Sequence, residues 1–151
     1  MIVSEVIFQA MRKKSGMIPY VIEDGGPLFL FMIPYNPAYG GSKPSISKGH
    51  VDGGESTEQA AIREAEEELG LKRSNIIPDS IQLVWHSTLT GDTESYDFFV
   101  YVCRVTSKAD FNEPHYETGS THWLTAKEFE NTGRRIHVTI VNAARNLIMG
   151  E

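Results

Sequence analysis

The segment GHVDGGESTEQAAIREAEEELGL, from Gly49 to Leu71, decides how this chain is read. On a helix, with ~100° between successive residues, Glu64, Glu67 and Glu68 stand at i, i+3 and i+4 and project from one face. Like charges at that spacing each cost about a few tenths of a kcal/mol on an exposed helix, so the stripe needs something to offset its repulsion. A hard divalent cation does so, because Mg²⁺ and Mn²⁺ select carboxylate oxygens and keep coordination positions for water and phosphate. A solvated acidic face is the competing reading of the same residues.

The flanking residues complete an amphipathic helix. Ile62, Ala65 and Leu69 fall on the side away from the carboxylates and form an apolar stripe for packing. Ala60 and Ala61 fall on the carboxylate side, where small side chains would let a metal and a phosphate approach the backbone; helix propensity explains them equally well. Ser56 and Thr57 suit the helix start and Gly70 its end.

The spacing of Gly49, Glu55, Arg63-Glu64-Ala65, Glu67-Glu68 and Gly70-Leu71 resembles the Nudix box of the Nudix hydrolases, with Ala65 smaller than the aliphatic residue usual there. The resemblance implies a loop, helix and loop that binds divalent metal, Mg²⁺ or Mn²⁺, for hydrolysis of a nucleoside diphosphate linked to another group. Carried over, Glu64, Glu67 and Glu68 are the metal ligands, helped by a backbone carbonyl just before Gly49. Arg63 orients the acidic cluster with Glu55 as its ion-pair partner, and Gly49, Gly53 and Gly54 permit the tight path of the loop. The family often uses a further carboxylate in the loop before the last strand. Here that loop runs from Lys108 to Ser120, with Glu113 and Glu117 available, and Glu117 is preferred because it lies nearer the strand.

Composition fits one compact enzyme. The chain has 151 residues, 40% of them hydrophobic, enough for a core and for a single Nudix domain over residues 1–151. Its net charge of -6 owes much to the run from Glu55 to Glu68 and argues against a nucleic-acid surface, which needs a basic stripe. The N-terminus lacks a signal-peptide pattern and no apolar run is long enough to span a membrane. Cys103, the one cysteine, lies in an apolar strand pattern and reads as a buried, inert thiol. A cytoplasmic protein with a small-molecule nucleotide substrate, no nucleic acid and no membrane is expected, with a homodimer left open.

Along the chain, Ile2 to Met11 and Met17 to Ile22 read as strands around a turn at Lys13 to Gly16, and Pro27 to Ile33 as a dense apolar strand after the Asp24-Gly25-Gly26 turn. Pro34 to Ser47 reads as a long loop of the kind that binds something. Ser80 to Thr90 and Tyr96 to Thr106 follow as strands, the second nearly continuous in apolar residues and therefore interior. Thr121 to Leu124 is a short strand, Thr125 to Asn131 a brief capped helix, and Ile136, Ile140, Val141, Ala144, Leu147 and Ile148 recur at helical spacing. The expected fold is α/β, a mixed β-sheet sandwiched between helices, similar to the Nudix fold.

For substrate recognition, Tyr35, Tyr39, Tyr96 and Trp123 are candidates to clamp a base, each also readable as a packing residue. Lys43 and Lys48 are placed to meet phosphate, and His50 either contacts substrate or fills the loop. The length and the PSISKGHVDGGES approach to the box are similar to small bacteriophage and bacterial Nudix enzymes acting on adenosine-containing dinucleotides. The resemblance therefore implies substrates such as ADP-ribose, diadenosine polyphosphates or FAD. A house-cleaning nucleoside triphosphate pyrophosphohydrolase and a catalytically silent nucleotide-binding module are the alternatives.

Overall fold

The computed structural model describes residues 12–90 and 95–150. The strands are β1 (Arg12–Glu23), β2 (Gly26–Pro34), β3 (Ser47–His50), β4 (Gln82–Thr90), β5 (Ser95–Arg104) and β6 (Thr118–Leu124), and the α-helices are α1 (Thr57–Leu69), α2 (Ala126–Thr132) and α3 (Val138–Met149). The sheet runs β4-β5-β1-β2-β6, with β3 paired to β1 beside that path. β1 and β5 are parallel and the other pairings are antiparallel, so the sheet is mixed.

Alternation along the strands builds two cores. Ile18, Phe29, Phe31, Phe98, Val100 and Val102 point to one face, where Phe129 of α2 and Ile140, Val141 and Ala144 of α3 close over them. Their neighbours Met17, Leu30, Met32, Tyr101 and Cys103 point to the other, against Ala61, Ile62, Ala65 and Leu69 of α1. Successive strand residues face opposite sides, so a strand covered on both faces reads as an unbroken apolar run. The expected sandwich is therefore present, and β5 is interior as expected. Cys103 is fully buried, and burial pushes its thiol up to about 12.

Several local expectations are corrected. No turn interrupts Lys13 to Gly16, which lies inside β1; the strand expected over Ile2 to Met11 lies outside the described residues. Gly16 serves close packing there, since a Cβ would stand 2.9 Å from Ile46 Cγ2 and 3.0 Å from the Ser47 carbonyl oxygen, on β3 and its approach. Ala60 and Ala61 are fully buried, so their small size brings α1 close to the sheet and opens no path for metal or phosphate. Ile136 sits in a 3₁₀ turn ahead of α3 and is 52% exposed, and Leu147 is 43% exposed, so neither belongs to the buried face of α3. β6 begins three residues earlier than expected, at Thr118.

β1 changes partner half-way. Lys14 to Met17 pair with β3 and Tyr20 to Glu23 with β2, while Pro19 falls in the interval between them. A residue without an N–H costs least at such a handover. The consequence is that β3 delivers the start of the acidic segment alongside β1, directly beneath α1.

Candidate active site

α1 is bounded by two of the three residues expected to bound it, Ser56 and Gly70. Ser56 accepts from the Gln59 backbone N–H at 3.0 Å while Gln59 accepts from the Ser56 N–H at 2.9 Å, a reciprocal cap. Gly70 ends the helix at φ 75°, and a Cβ there would overlap the Asn112 carbonyl. Thr57 plays no part in the cap; its hydroxyl meets the Tyr101 hydroxyl at 2.5 Å.

Arg63 is the hub of the acidic cluster. Its Nε and Nη2 hold Glu55 in a two-point grip at 2.8 and 3.1 Å, its Nη1 reaches Glu64 at 2.9 Å and Glu67 at 3.6 Å, and its Nη2 also donates to the His50 carbonyl at 3.0 Å. The guanidinium is thereby tied to both the glycine loop and the helix, with Asp52 at 3.4 Å. Its hydrogen bonds hold Glu55 below the usual carboxylate range. Glu64 is raised, chiefly by burial, with Arg63 opposing and Glu67 adding. Gly49 passes so close beneath Glu64 that any Cβ would overlap the carboxyl group.

Glu68 faces the other way. Its Oε1 accepts from the Ser47 hydroxyl and the Lys48 backbone N–H, both at 2.9 Å. Burial, which those two hydrogen bonds oppose and the neighbouring Glu64 reinforces, pushes it up to about 7. Burial and the nearby Arg134 lower Lys48 to about 8, with Glu68 opposing.

Glu68 and Lys48 line a cavity of about 380 Å³ with Tyr35, Tyr39, Tyr116 and Glu117. Tyr35, Tyr39 and Tyr116 are 76%, 80% and 78% exposed, unusual for large aromatic side chains unless they serve a surface. The loop before β6 is laced to the end of α1: the Asn112 N–H donates to the Gly70 carbonyl at 2.7 Å, the His115 N–H to that of Glu67 at 2.8 Å, and the Thr118 hydroxyl to that of Glu68 at 2.8 Å. Carbonyls left unpaired at a helix C-terminus find donors this way. The same lacing brings Glu117 to the cavity that Glu68 lines, and its carbonyl accepts from the Tyr35 N–H at 2.8 Å. Glu113 is exposed and lies outside the cavity lining.

Of the residues singled out from sequence, Tyr35, Tyr39, Lys48, Glu68 and Glu117 thus share one cavity. Arg63, Glu64 and Glu67 stand beside it on the same helix, and His50 contributes its carbonyl to Arg63 with its exposed ring outside the lining. Tyr96 and Trp123 are corrected from clamp candidates to packing residues: Tyr96 is buried in the core with α3, and Trp123 packs edge-on against Phe111. Sequence reasoning missed Tyr116, whose signal was an aromatic residue beside Glu117. It also missed Ser47, which anchors Glu68, and His137, fully buried, whose Nδ1 accepts from the Ile46 N–H at 3.2 Å.

The donor set suits a hard divalent cation. Glu64 and Glu68 are partly withdrawn from water beside Glu67, a concentration of negative charge that a cation relieves. Among the described residues no three ligating side chains converge as a finished cage, since Glu64 is turned onto Arg63 and Glu68 onto Ser47 and Lys48. Mg²⁺ ordinarily takes one or two carboxylates together with waters and substrate phosphates, so it does not need a finished cage.

The family model for the NUDIX domain matches residues 12–143. The chain belongs to the NUDIX family. It is a Nudix hydrolase, an enzyme acting on acid anhydrides, and Nudix hydrolases generally depend on divalent metal. No curated protein matches its sequence. Its fold is similar to that of a Caenorhabditis elegans Ap4A hydrolase in a binary complex, at 19% identity and TM-score 0.75 over 93% of this chain and 100% of that one. It is also similar to the NUDIX domain of Shewanella oneidensis NrtR complexed with ADP ribose, at 14% identity and TM-score 0.73 over 98% and 99% of the two chains. A Nudix hydrolase from M. smegmatis, RenU, follows at 13% identity and TM-score 0.70, over 91% and 86%. Among the described residues no helix is long and apolar enough to cross a membrane.

Proposed function

We propose that this Nudix hydrolase, as a single domain, cleaves the pyrophosphate linkage of nucleoside diphosphate derivatives such as ADP-ribose, diadenosine polyphosphates or FAD-like dinucleotides. The observation that carries this reading is the shared cavity, which exposed tyrosines line together with Lys48, Glu68 and Glu117 beside the acidic face of α1. Tyr35 and Tyr39 receive a base, which their exposed rings and their place at the cavity favour. Lys48 meets phosphate charge.

Glu64, Glu67 and Glu68 are the residues that hold Mg²⁺ or Mn²⁺. When bound, the ion neutralises phosphate charge and lowers the pKa of a water. Arg63 keeps Glu64 and Glu67 oriented through its contacts with both and its grip on Glu55. Glu117, 70% exposed at the cavity rim, takes up the proton of the attacking water. His50 serves through its carbonyl, which locks Arg63 to the loop. The similarity to a solved Ap4A hydrolase and to a NUDIX domain holding ADP ribose supports the substrate class at the level of fold.

The test is a substrate panel with product identification in Mg²⁺ or Mn²⁺. The expected result is release of AMP from ADP-ribose or a diadenosine polyphosphate, abolished by EDTA and slowed by orders of magnitude in Glu68→Gln. Pyrophosphate release from nucleoside triphosphates alone would favour the house-cleaning alternative, and binding without turnover the silent module.

A further inference from the structure

Past Gly40 the nucleotide cavity adjoins a second, open cavity of about 530 Å³, and Gly40 lines both. The second cavity carries Lys43, Arg134 and Arg135. A Cβ at Gly40 would stand 3.8 Å from Arg134 Nη1, which places that guanidinium at the junction between the two. Its backbone is fixed on both sides, the N–H donating to the Pro44 carbonyl at 2.8 Å and the carbonyl accepting from the His137 N–H at 3.0 Å.

The chain carries a net charge of -6, and Arg63, Lys72, Arg73 and Lys108 are each matched to a carboxylate. Lys43, Arg134 and Arg135 have no such partner among the described residues, although acidic side chains outnumber basic ones by 20 to 14. Three like charges gathered in one cavity repel one another, and a polyanion relieves that repulsion. Guanidinium groups match phosphate geometry with paired N–H donors.

Resting on the function proposed above, we propose that Lys43, Arg134 and Arg135 form a second anion subsite for the outer phosphates of a nucleotide bridged by more than two phosphates. ADP-ribose, with two phosphates and a neutral sugar beyond, leaves this subsite unused; diadenosine tetraphosphate fills it.

The experiment compares kcat/KM for diadenosine tetraphosphate and ADP-ribose in the wild type, in Arg134→Gln/Arg135→Gln and in the exposed pair Lys43→Gln/Arg135→Gln. Calorimetric titration with inorganic tripolyphosphate runs alongside. The tetraphosphate-to-ADP-ribose ratio is expected to fall at least about tenfold in each variant, since each removes two charged partners and the loss of one charge-assisted contact already costs about that much, and tripolyphosphate affinity to fall with it. An unchanged ratio with both substrates still cleaved overturns the subsite and leaves the hydrolase reading intact. If the wild type cleaves neither substrate, the hydrolase reading fails, and the titration alone decides: weaker tripolyphosphate binding in the variants supports the subsite and equal binding overturns it. Should Arg134→Gln unfold, the Lys43→Gln/Arg135→Gln pair carries the same comparison.

Discussion

The carboxyl group of Glu64 rests on the α-carbon of Gly49, leaving no room for a single additional carbon between β3 and α1. Gly49→Ala therefore has to push Glu64 off Arg63 or lift the helix. Overpacking of this kind costs about 1–3 kcal/mol of stability, and a displacement near 1 Å at a reacting centre costs about 100-fold in rate. We expect a folded Gly49→Ala protein with a modestly lower melting temperature and kcat/KM down by about two orders of magnitude. Wild-type kinetics in that variant would show that Glu64 does not need its observed position.

Arg63→Lys keeps the charge and removes the fork that grips Glu55 while reaching Glu64 and the His50 carbonyl. Its ion pairs are partly exposed, so stability should change by less than about 1 kcal/mol. Loss of a partner that orients ligating groups typically costs about 10–100-fold in metal affinity or activity. A metal titration of activity should show that rise in the Mg²⁺ requirement; a variant indistinguishable from wild type in both metal requirement and rate would remove Arg63 from its positioning role.

The lacing of the loop before β6 to α1 gives a third expectation. Thr118→Val deletes the hydroxyl that donates to the Glu68 carbonyl while preserving shape, at a cost of about 1 kcal/mol. Because Glu117 is the adjacent residue, kcat should fall more than KM rises. Equal stability loss with kcat untouched would mean that Glu117 does not depend on this tether.

His137 predicts an acid limb of stability. Its Nδ1 accepts a hydrogen bond, its Nε2 is buried without a partner among the described residues, and burial, then Lys48 and Arg134, hold it well below its ordinary pKa. The unfolded chain takes up a proton near pH 6.5 that the folded one refuses, so this stabilisation is complete above that pH and declines below it, by about 1.4 kcal/mol per pH unit. Glu64 and Glu68, both raised in the fold chiefly by burial, act in the opposite sense and lose stabilisation as pH rises, that of Glu68 being lost toward about 7. Subtracting the profile of His137→Gln from that of the wild type in EDTA isolates the histidine. Denaturant midpoints that fall in parallel for the two proteins between pH 6.5 and 5 would contradict the assignment.

The helix carrying the acidic segment was legible because its information is local. Ser56 and Gly70 bound it, Ile62, Ala65 and Leu69 give its buried face, and its carboxylates follow from a spacing of three and four residues. The strands were legible for the same reason, through residues of β5 whose two faces are both covered. Where composition misled, at Lys13 to Gly16, the glycine answered to the approach of Ile46 and Ser47, some thirty residues away in the chain.

By itself, then, the sequence determined the family, the sandwich and the acidic face of α1, since each rests on periodicities and spacings within one or two turns or strands. Tertiary structure alone decided which tyrosines serve the cavity. Tyr35, Tyr39 and Tyr116 stand out from it while Tyr96 is consumed by packing, and no local pattern separates the two fates. It also decided that Glu117 shares a cavity with Glu68 and that Arg134 stands beside Gly40, because residues 49 and 94 positions apart are brought together by how sheet, loop and helix ends close on one another.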